Sequence, residues 1–84
     1  MTDVIVKSKN GIHARPASVI ADLSSKYTGV VTFHKAGKVY NGKSIMSIMS
    51  MGLRENETVT IDVVGEDSSS LEQKLVEIIN SITE

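Results

Sequence analysis

The residues with the clearest capacity for chemistry are His13 and Arg15, which stand two positions apart in the segment GIHARP at positions 11–16. A neutral imidazole is a good nucleophile, and a guanidinium can hold a phosphoryl group through paired hydrogen bonds. The segment lies between a β-branched run and a helical pattern, so His13 is predicted at a strand-to-helix junction. Free backbone N–H groups and the positive end of the helix dipole favour an anion at such a junction.

The spacing alone leaves two interpretations of His13 open: a phosphoryl acceptor, or a surface histidine that caps a helix. None of the four residues on either side of His13 is a serine, cysteine or carboxylate, so no local triad for hydrolysis is indicated. The site is therefore predicted to carry a phosphoryl group rather than to hydrolyse a substrate. Ala14, Pro16 and Ala17 are predicted to form the helix start beside it, because proline is tolerated in a first turn.

A second candidate segment, SIMSIMSMG, covers residues 44–52. Ser44 is predicted to be the N-cap of a short helix, a position where the helix dipole also tolerates a phosphate. Two turns carry more apolar side chains than a small domain can bury. We therefore predict that Ile45, Met46 and Met49 form an exposed docking patch, since methionine adapts to several partners.

Length, charge and residue types narrow the class of protein. Eighty-four residues predict a single domain over 1–84, and the absence of cysteine excludes disulfides. Two histidines argue against a structural zinc site, and no metal or cofactor is predicted. Nine basic against ten acidic residues leave no broad footprint for nucleic acid. No apolar run resembles a membrane span or a signal peptide, so we expect a soluble, cytoplasmic protein without membrane insertion. We also expect a monomer.

Hydrophobic periodicity predicts the element order β-α-β-β-α-β-α. The strands are expected near residues 4–6, 31–34, 38–41 and 58–64, and the helices are expected to begin near residues 14, 45 and 70. Gly29 is predicted to end the first helix, and Ala36-Gly37 to form a hairpin turn. Ser69 and Glu72 have the spacing of a capping box. Because the strands alternate in polarity, we predict an α+β fold with a four-stranded, mostly antiparallel sheet covered by helices on one side.

In these motifs and this order of elements the chain resembles HPr, the histidine-containing phosphocarrier family of the bacterial phosphoenolpyruvate-dependent sugar phosphotransferase system. The resemblance covers essentially the whole length. Residues 11–17 match the family's active-site motif. Residues 43–46, followed by Met49 and Gly52, match its regulatory-serine segment.

The resemblance implies an open-faced β-sandwich, with four antiparallel strands covered on one side by three helices. It also implies a phosphoryl carrier that is not an enzyme and needs no cofactor. His13 would accept a phosphoryl group on its ring Nδ1 from the phosphohistidine of enzyme I and pass it to the A domain of a sugar-specific enzyme II. Arg15 would steady the phosphoryl group, and the docking patch would lie beside His13 and contact both partners.

Ser44 corresponds to the serine that HPr kinase/phosphorylase modifies in Gram-positive bacteria, where the modified form binds the catabolite control protein in carbon catabolite repression. Two further functions remain open: a regulatory HPr-like protein that acts mainly through phosphorylated Ser44, as the family's paralogue without the histidine does, and a phosphocarrier of the nitrogen branch. The presence of His13 argues against the first. The sequence KSIM at 43–46 favours the sugar branch over the second.

Overall fold

The computed structural model describes residues 1–82, so the last two residues of the predicted domain, 83 and 84, lie outside the described residues. Four strands and three helices follow one another in the predicted order. They are β1 (Thr2–Ile5), α1 (Ala14–Ser25), β2 (Val30–Lys35), β3 (Lys38–Asn41), α2 (Ile45–Ser50), β4 (Thr58–Val64) and α3 (Ser68–Ser81). Within residues 1–82, none of these helices is long and apolar enough to cross a membrane.

The strands form one antiparallel sheet in the order β1-β4-β2-β3. In the two central strands, Phe33 lies opposite Ile61 on the inner face, and both side chains are buried. Thr32 lies opposite Asp62 on the outer face, as the alternation of polarity predicts. The helices bury their apolar stripes in the same core, through residues such as Ile20 and Leu75. The predicted fold, a four-stranded antiparallel sheet covered by three helices, is confirmed.

The predicted hairpin turn is confirmed by backbone angles, and a second left-handed residue ends α2. Ala36 and Gly37 both have positive φ, 51° and 80°, which is the conformation of a type I′ hairpin turn. Gly52, which follows the C-cap Met51 of α2, has a φ of 61°. A left-handed residue at this position is the common way to end a helix.

The prediction that Gly29 caps α1 is wrong. The helix ends at Ser25, and its C-cap Lys26 keeps a right-handed conformation. Gly29 instead lies where the chain passes close to β4, because an added Cβ would be 2.2 Å from the Val64 carbonyl oxygen. This glycine allows two backbone segments to approach each other.

The predicted capping box of the third helix is also wrong. The helix begins two residues earlier than expected, at Ser68, and its N-cap Asp67 has a φ of 56° and makes no side-chain cap hydrogen bond. The Glu72 carboxylate accepts a hydrogen bond from the Thr2 hydroxyl and lies 3.3 Å from the amino group of Met1. Glu72 therefore fastens α3 to the beginning of β1, a long-range contact that competes with local capping.

Candidate functional site

His13 is the N-cap of α1 and is half-buried. Its backbone is extended, with φ −102° and ψ −170°, and its carbonyl oxygen accepts the hydrogen bond of the Ala17 N–H at 3.0 Å. The imidazole makes no capping hydrogen bond. The backbone of His13 thus begins the helix, while the ring is left for other chemistry.

The first turn of α1 provides a corner for an anion. The N–H groups of Ala14 and Arg15 precede the first intrahelical hydrogen bond, and Pro16 has no N–H to satisfy. The turn contains no acidic residue that would compete with a bound anion. Ala14 and Arg15 are exposed, whereas Pro16 and Ala17 are buried and anchor the turn. The sequence prediction of a site at this helix start is consistent with that geometry.

The loop before His13 is held by the segment that follows α2. Gly11 has a φ of 66°, and an added Cβ there would lie 1.9 Å from the Leu53 carbonyl oxygen. The N–H of Ile12 donates to the same oxygen at 3.3 Å, and the Ile12 side chain is buried. Only glycine fits at position 11, because any other residue would collide with the Leu53 backbone.

A groove of about 620 Å³ opens beside the imidazole. One wall is the beginning of α1, from His13 to Pro16 together with Val19. The other wall is the end of α3, through Ile78, Ser81 and Ile82. This wall is not predictable from the sequence, because no local pattern indicates that the third helix ends beside the first turn of α1.

The predicted N-cap at Ser44 and the predicted exposure of three apolar side chains on α2 are confirmed, whereas the docking role of these side chains stays a prediction. Ser44 is the N-cap, and its hydroxyl oxygen accepts the hydrogen bond of the Ser47 N–H at 3.2 Å. Ile45, Met46 and Met49 are 42%, 78% and 42% exposed. These fractions place the three side chains on the surface, where a partner can reach them.

Helices α1 and α2 run antiparallel, as the contacts at their ends establish. At one end the Lys43 ammonium donates to the Tyr27 carbonyl at 2.7 Å, beyond the end of α1. At the other end, the Ile12–Leu53 hydrogen bond joins the chain after α2 to the beginning of α1. Ser44 therefore lies at the end of α2 remote from His13, and a six-residue helix is about 9 Å long.

A protein-family model matches residues 1–81 and is described as the PTS HPr component phosphorylation site. Two phosphocarrier proteins named HPr are similar along most of the chain. The protein from Chlamydia muridarum is 36% identical over 77 residues, which are 92% of this chain and 74% of the relative. The protein from Borreliella burgdorferi is 32% identical over 82 residues, which are 98% of this chain and 95% of the relative.

Solved structures show the same likeness. A crystal structure of HPr from Thermoanaerobacter tengcongensis superposes with a TM-score of 0.88 at 35% identity, covering 95% of this chain and 90% of that one. The Bacillus subtilis catabolite repression protein Crh, described as a domain-swapped, intertwined dimer, gives a TM-score of 0.78 at 32% identity. That match covers 100% of this chain and 97% of Crh.

Proposed function

The chain belongs to the HPr family of the phosphotransferase system, and on that premise we propose that His13 is the residue that carries the phosphoryl group. As a member of this family it is a phosphocarrier rather than an enzyme, and its partners are phosphotransfer proteins. The observation that carries the assignment is the position of His13. Its ring makes no capping hydrogen bond and stands at the N-terminus of α1, where the first-turn amides have no intrahelical acceptor.

In the proposed transfer, the Nδ1 lone pair of neutral His13 attacks the phosphorus of a phosphohistidine on the donor. The P–N bond to the donor breaks, and its electron pair stays on the donor's imidazole. The phosphoryl oxygens then lie near the N–H groups of Ala14 and Arg15, where the helix dipole contributes about 0.3–1 kcal/mol. The Arg15 guanidinium supplies paired hydrogen bonds. Positioning and charge stabilisation are what such transfer needs.

The proposed donor is enzyme I, and the proposed acceptor is the A domain of a sugar-specific enzyme II. Both would bind the docking patch, because Ile45, Met46 and Met49 are large apolar side chains left exposed on one helix. All of this exchange is proposed to take place in the cytoplasm.

Incubation with enzyme I and phosphoenolpyruvate tests the assignment. We expect one acid-labile phosphate on the wild-type chain and none on His13→Ala. His34→Ala is the matched control, since His34 lies on the outer face of the sheet with its Nε2 3.2 Å from the Thr32 hydroxyl, and should be phosphorylated normally. Arg15→Ala should be phosphorylated slowly. A phosphate that survives His13→Ala would overturn the proposal.

The docking patch is tested by adding charge to it. Met46→Asp should raise the KM for phosphorylated enzyme I while leaving kcat largely unchanged. The reason is that a charged side chain at position 46 prevents the apolar contact with the partner. Val39→Asp is the control, since Val39 is also exposed but lies on the outer face of the sheet. Equal KM values for the two variants would show that the docking patch is not part of the interface with enzyme I.

Ser44 is proposed as a regulatory phosphorylation site for an HPr kinase/phosphorylase, with the phosphorylated form recognised by a catabolite control protein. Support comes from its N-cap position, where added negative charge meets the positive end of α2. Because Ser44 is remote from His13, a phosphate there should act on docking rather than on the imidazole. Ser44→Asp should therefore slow phosphoryl acceptance through KM, and Ser69→Asp, on the exposed first turn of α3, should not. An unchanged KM in Ser44→Asp would count against regulation through this surface.

A second candidate function is favoured by the likeness to Crh. In that case the chain would act mainly through phosphorylated Ser44. Growth on a phosphotransferase sugar separates the two functions, because His13→Ala abolishes growth only if the chain carries phosphate. A nitrogen-branch carrier would lose phosphate transfer in the same variant but leave growth on the sugar intact.

The chain is proposed to act as a monomer, although the related Crh structure is an intertwined dimer. Transfer between partners requires one accessible His13 per encounter and no second copy. Sedimentation equilibrium over a range of concentrations measures the oligomeric state. A stable dimer at assay concentrations would refute the monomer.

A further inference from the structure

We propose that Lys35 and Glu57 are positioning residues, which together fix the segment between α2 and β4 so that it presents both His13 and the docking patch. The segment, residues 51–57, is called the α2–β4 loop below. This inference rests on the proposed function, because it concerns how the same phosphoryl site is held. Neither residue touches the transferred group.

Lys35 stands at the end of β2 and reaches the end of α2. Its ammonium donates to the carbonyl oxygens of Met51 at 2.9 Å and Gly52 at 3.2 Å, and lies 3.1 Å from the Glu57 carboxylate. The Lys35 side chain is only 20% exposed, so water competes little for these bonds. One cation thus contacts the beginning and the end of the α2–β4 loop.

Glu57 closes the loop from the other side. The carboxylate oxygen that faces Lys35 also accepts the hydrogen bond of the Arg54 N–H at 2.7 Å. This backbone bond, followed by the bond from Lys35, lowers the pKa of Glu57. The Glu57 carbonyl accepts from the N–H of Val6 at 2.9 Å, and the Asn56 N–H donates to the Val6 carbonyl at 2.7 Å. The loop is thereby fixed to the chain that leaves β1.

The α2–β4 loop transmits this restraint to His13 by direct contact. Its Leu53 carbonyl is the acceptor for the Ile12 N–H and the surface against which Gly11 packs. Ile12 immediately precedes the N-cap histidine. A shift of Leu53 therefore changes the backbone that aims the imidazole.

The same pair supports the docking patch. Helix α2 has six residues, too few to be stable alone, and it has no basic residue in its last turn. Lys35 supplies the missing cation from the sheet, where it neutralises the negative end of the helix dipole. Met49 lies in the turn that this contact holds.

The experiment compares Lys35→Met and Glu57→Gln with the wild-type chain in phosphoryl transfer from enzyme I. A small displacement of a reacting group is costly, so we expect kcat/KM to fall roughly tenfold in each variant. The double variant should fall no further than the worse single variant, because the two residues act as one unit. Lys35→Arg, which keeps the charge and the donors, should retain most of the activity.

A second readout separates positioning from general stability. Hydrogen exchange at the Ile12 amide should become faster in Lys35→Met, while the amide of Ile61 in the central strand stays protected. The control removes a different ion pair, Asp22→Asn with Lys26→Met, whose groups are 3.5 Å apart on the exposed surface of α1. That variant should match wild type in both measurements.

The outcomes distinguish this inference from the function on which it rests. If the wild-type chain takes no phosphate from enzyme I, the proposed function fails. If wild type is phosphorylated and Lys35→Met keeps full kcat/KM and an unchanged Ile12 amide, the positioning role is overturned. If exchange rises equally at Ile12 and Ile61, the pair supports only global stability and the inference is likewise rejected.

Discussion

At the scale of single residues, the site depends on which side chains are used for structural hydrogen bonds and which remain available for chemistry. The backbone of His13 caps α1 while its ring makes no capping bond. Glu57, in contrast, uses one carboxylate oxygen for both the Arg54 N–H and the Lys35 ammonium. The His13 ring is available for chemistry because the His13 backbone begins the helix, whereas the Glu57 side chain holds the structure together.

Glu57 makes the stability of the fold depend on pH. Its pKa is lowered in the folded chain, chiefly by the hydrogen bond from the Arg54 backbone and then by Lys35. A lowered carboxyl pKa stabilises the fold above the unfolded-state value and ceases to do so as pH falls through the folded-state value. Glu57→Gln should therefore unfold more easily than wild type at neutral pH, and the difference should shrink as pH falls below the unfolded-state pKa of about 4.3 and through the lower folded-state value. Urea unfolding across this range measures it, and a difference independent of pH would contradict the expectation.

Ala36 offers a second test at this scale. It has a φ of 51° in the hairpin turn, a conformation that costs an alanine more than an asparagine or a glycine. Because type I′ turns prefer Asn-Gly, Ala36→Asn should raise the free energy of unfolding. Ala36→Val, which is β-branched, should lower it. Chemical denaturation of both variants provides the measurement, and equal stability would show that the turn carries no strain.

At the scale of elements, features with a local cause were predictable. The Ser44 cap, the Ala36-Gly37 turn and the order of strands and helices follow from neighbouring residue types, and all three are confirmed. The helix start at Ala14 follows from the same kind of pattern.

Features that depend on distant partners were not predictable from one sequence. Glu72 has the right spacing for a capping box, but the amino group of Met1 and the Thr2 hydroxyl compete for it. Two features of the site form only when the elements pack against each other. They are the groove wall at Ile78 and the close contact, or clamp, between the Leu53 carbonyl and Gly11. A glycine before the histidine was the only signal of that clamp.

The cap of α2 can be tested by its removal. Ser44→Ala loses the acceptor for the Ser47 N–H and should lower the free energy of unfolding by about 0.5–2 kcal/mol. Ser50→Ala, at the other end of the same helix and exposed, should change it by less than about 0.5 kcal/mol. Thermal or urea unfolding compares the two. If both variants cost the same, the N-cap bond contributes nothing special to α2.

At the scale of the whole molecule, the sheet has two unlike faces. The inner face packs on three helices and holds the core, whereas the outer face mixes polar side chains with exposed valines. Adjacent residues of one strand are therefore expected to contribute differently to the free energy of unfolding. Val63 is 6% exposed and Val64 is 60% exposed, although both belong to β4.

This pair provides a direct comparison. Val63→Ala should cost about 1.5–3 kcal/mol of unfolding free energy, because it removes methyl groups from the core. Val64→Ala should cost less than about 0.5 kcal/mol. Denaturant unfolding of the two variants measures both values. Similar losses would mean that the outer face is covered by something in solution.

The sheet order β1-β4-β2-β3 also bears on how the chain is made. Within residues 1–82, β1 pairs only with β4, the last strand, and the loop before His13 is hydrogen-bonded to Leu53. As a ribosome releases the chain, the histidine segment emerges early but has no support until most of the sequence has followed. Contacts of such long sequence separation form late and slowly. In a nascent chain interrupted before β4, His13 would therefore be exposed but not yet held in the position required for phosphoryl transfer. We expect the chain to accept a phosphoryl group only after the whole fold has formed.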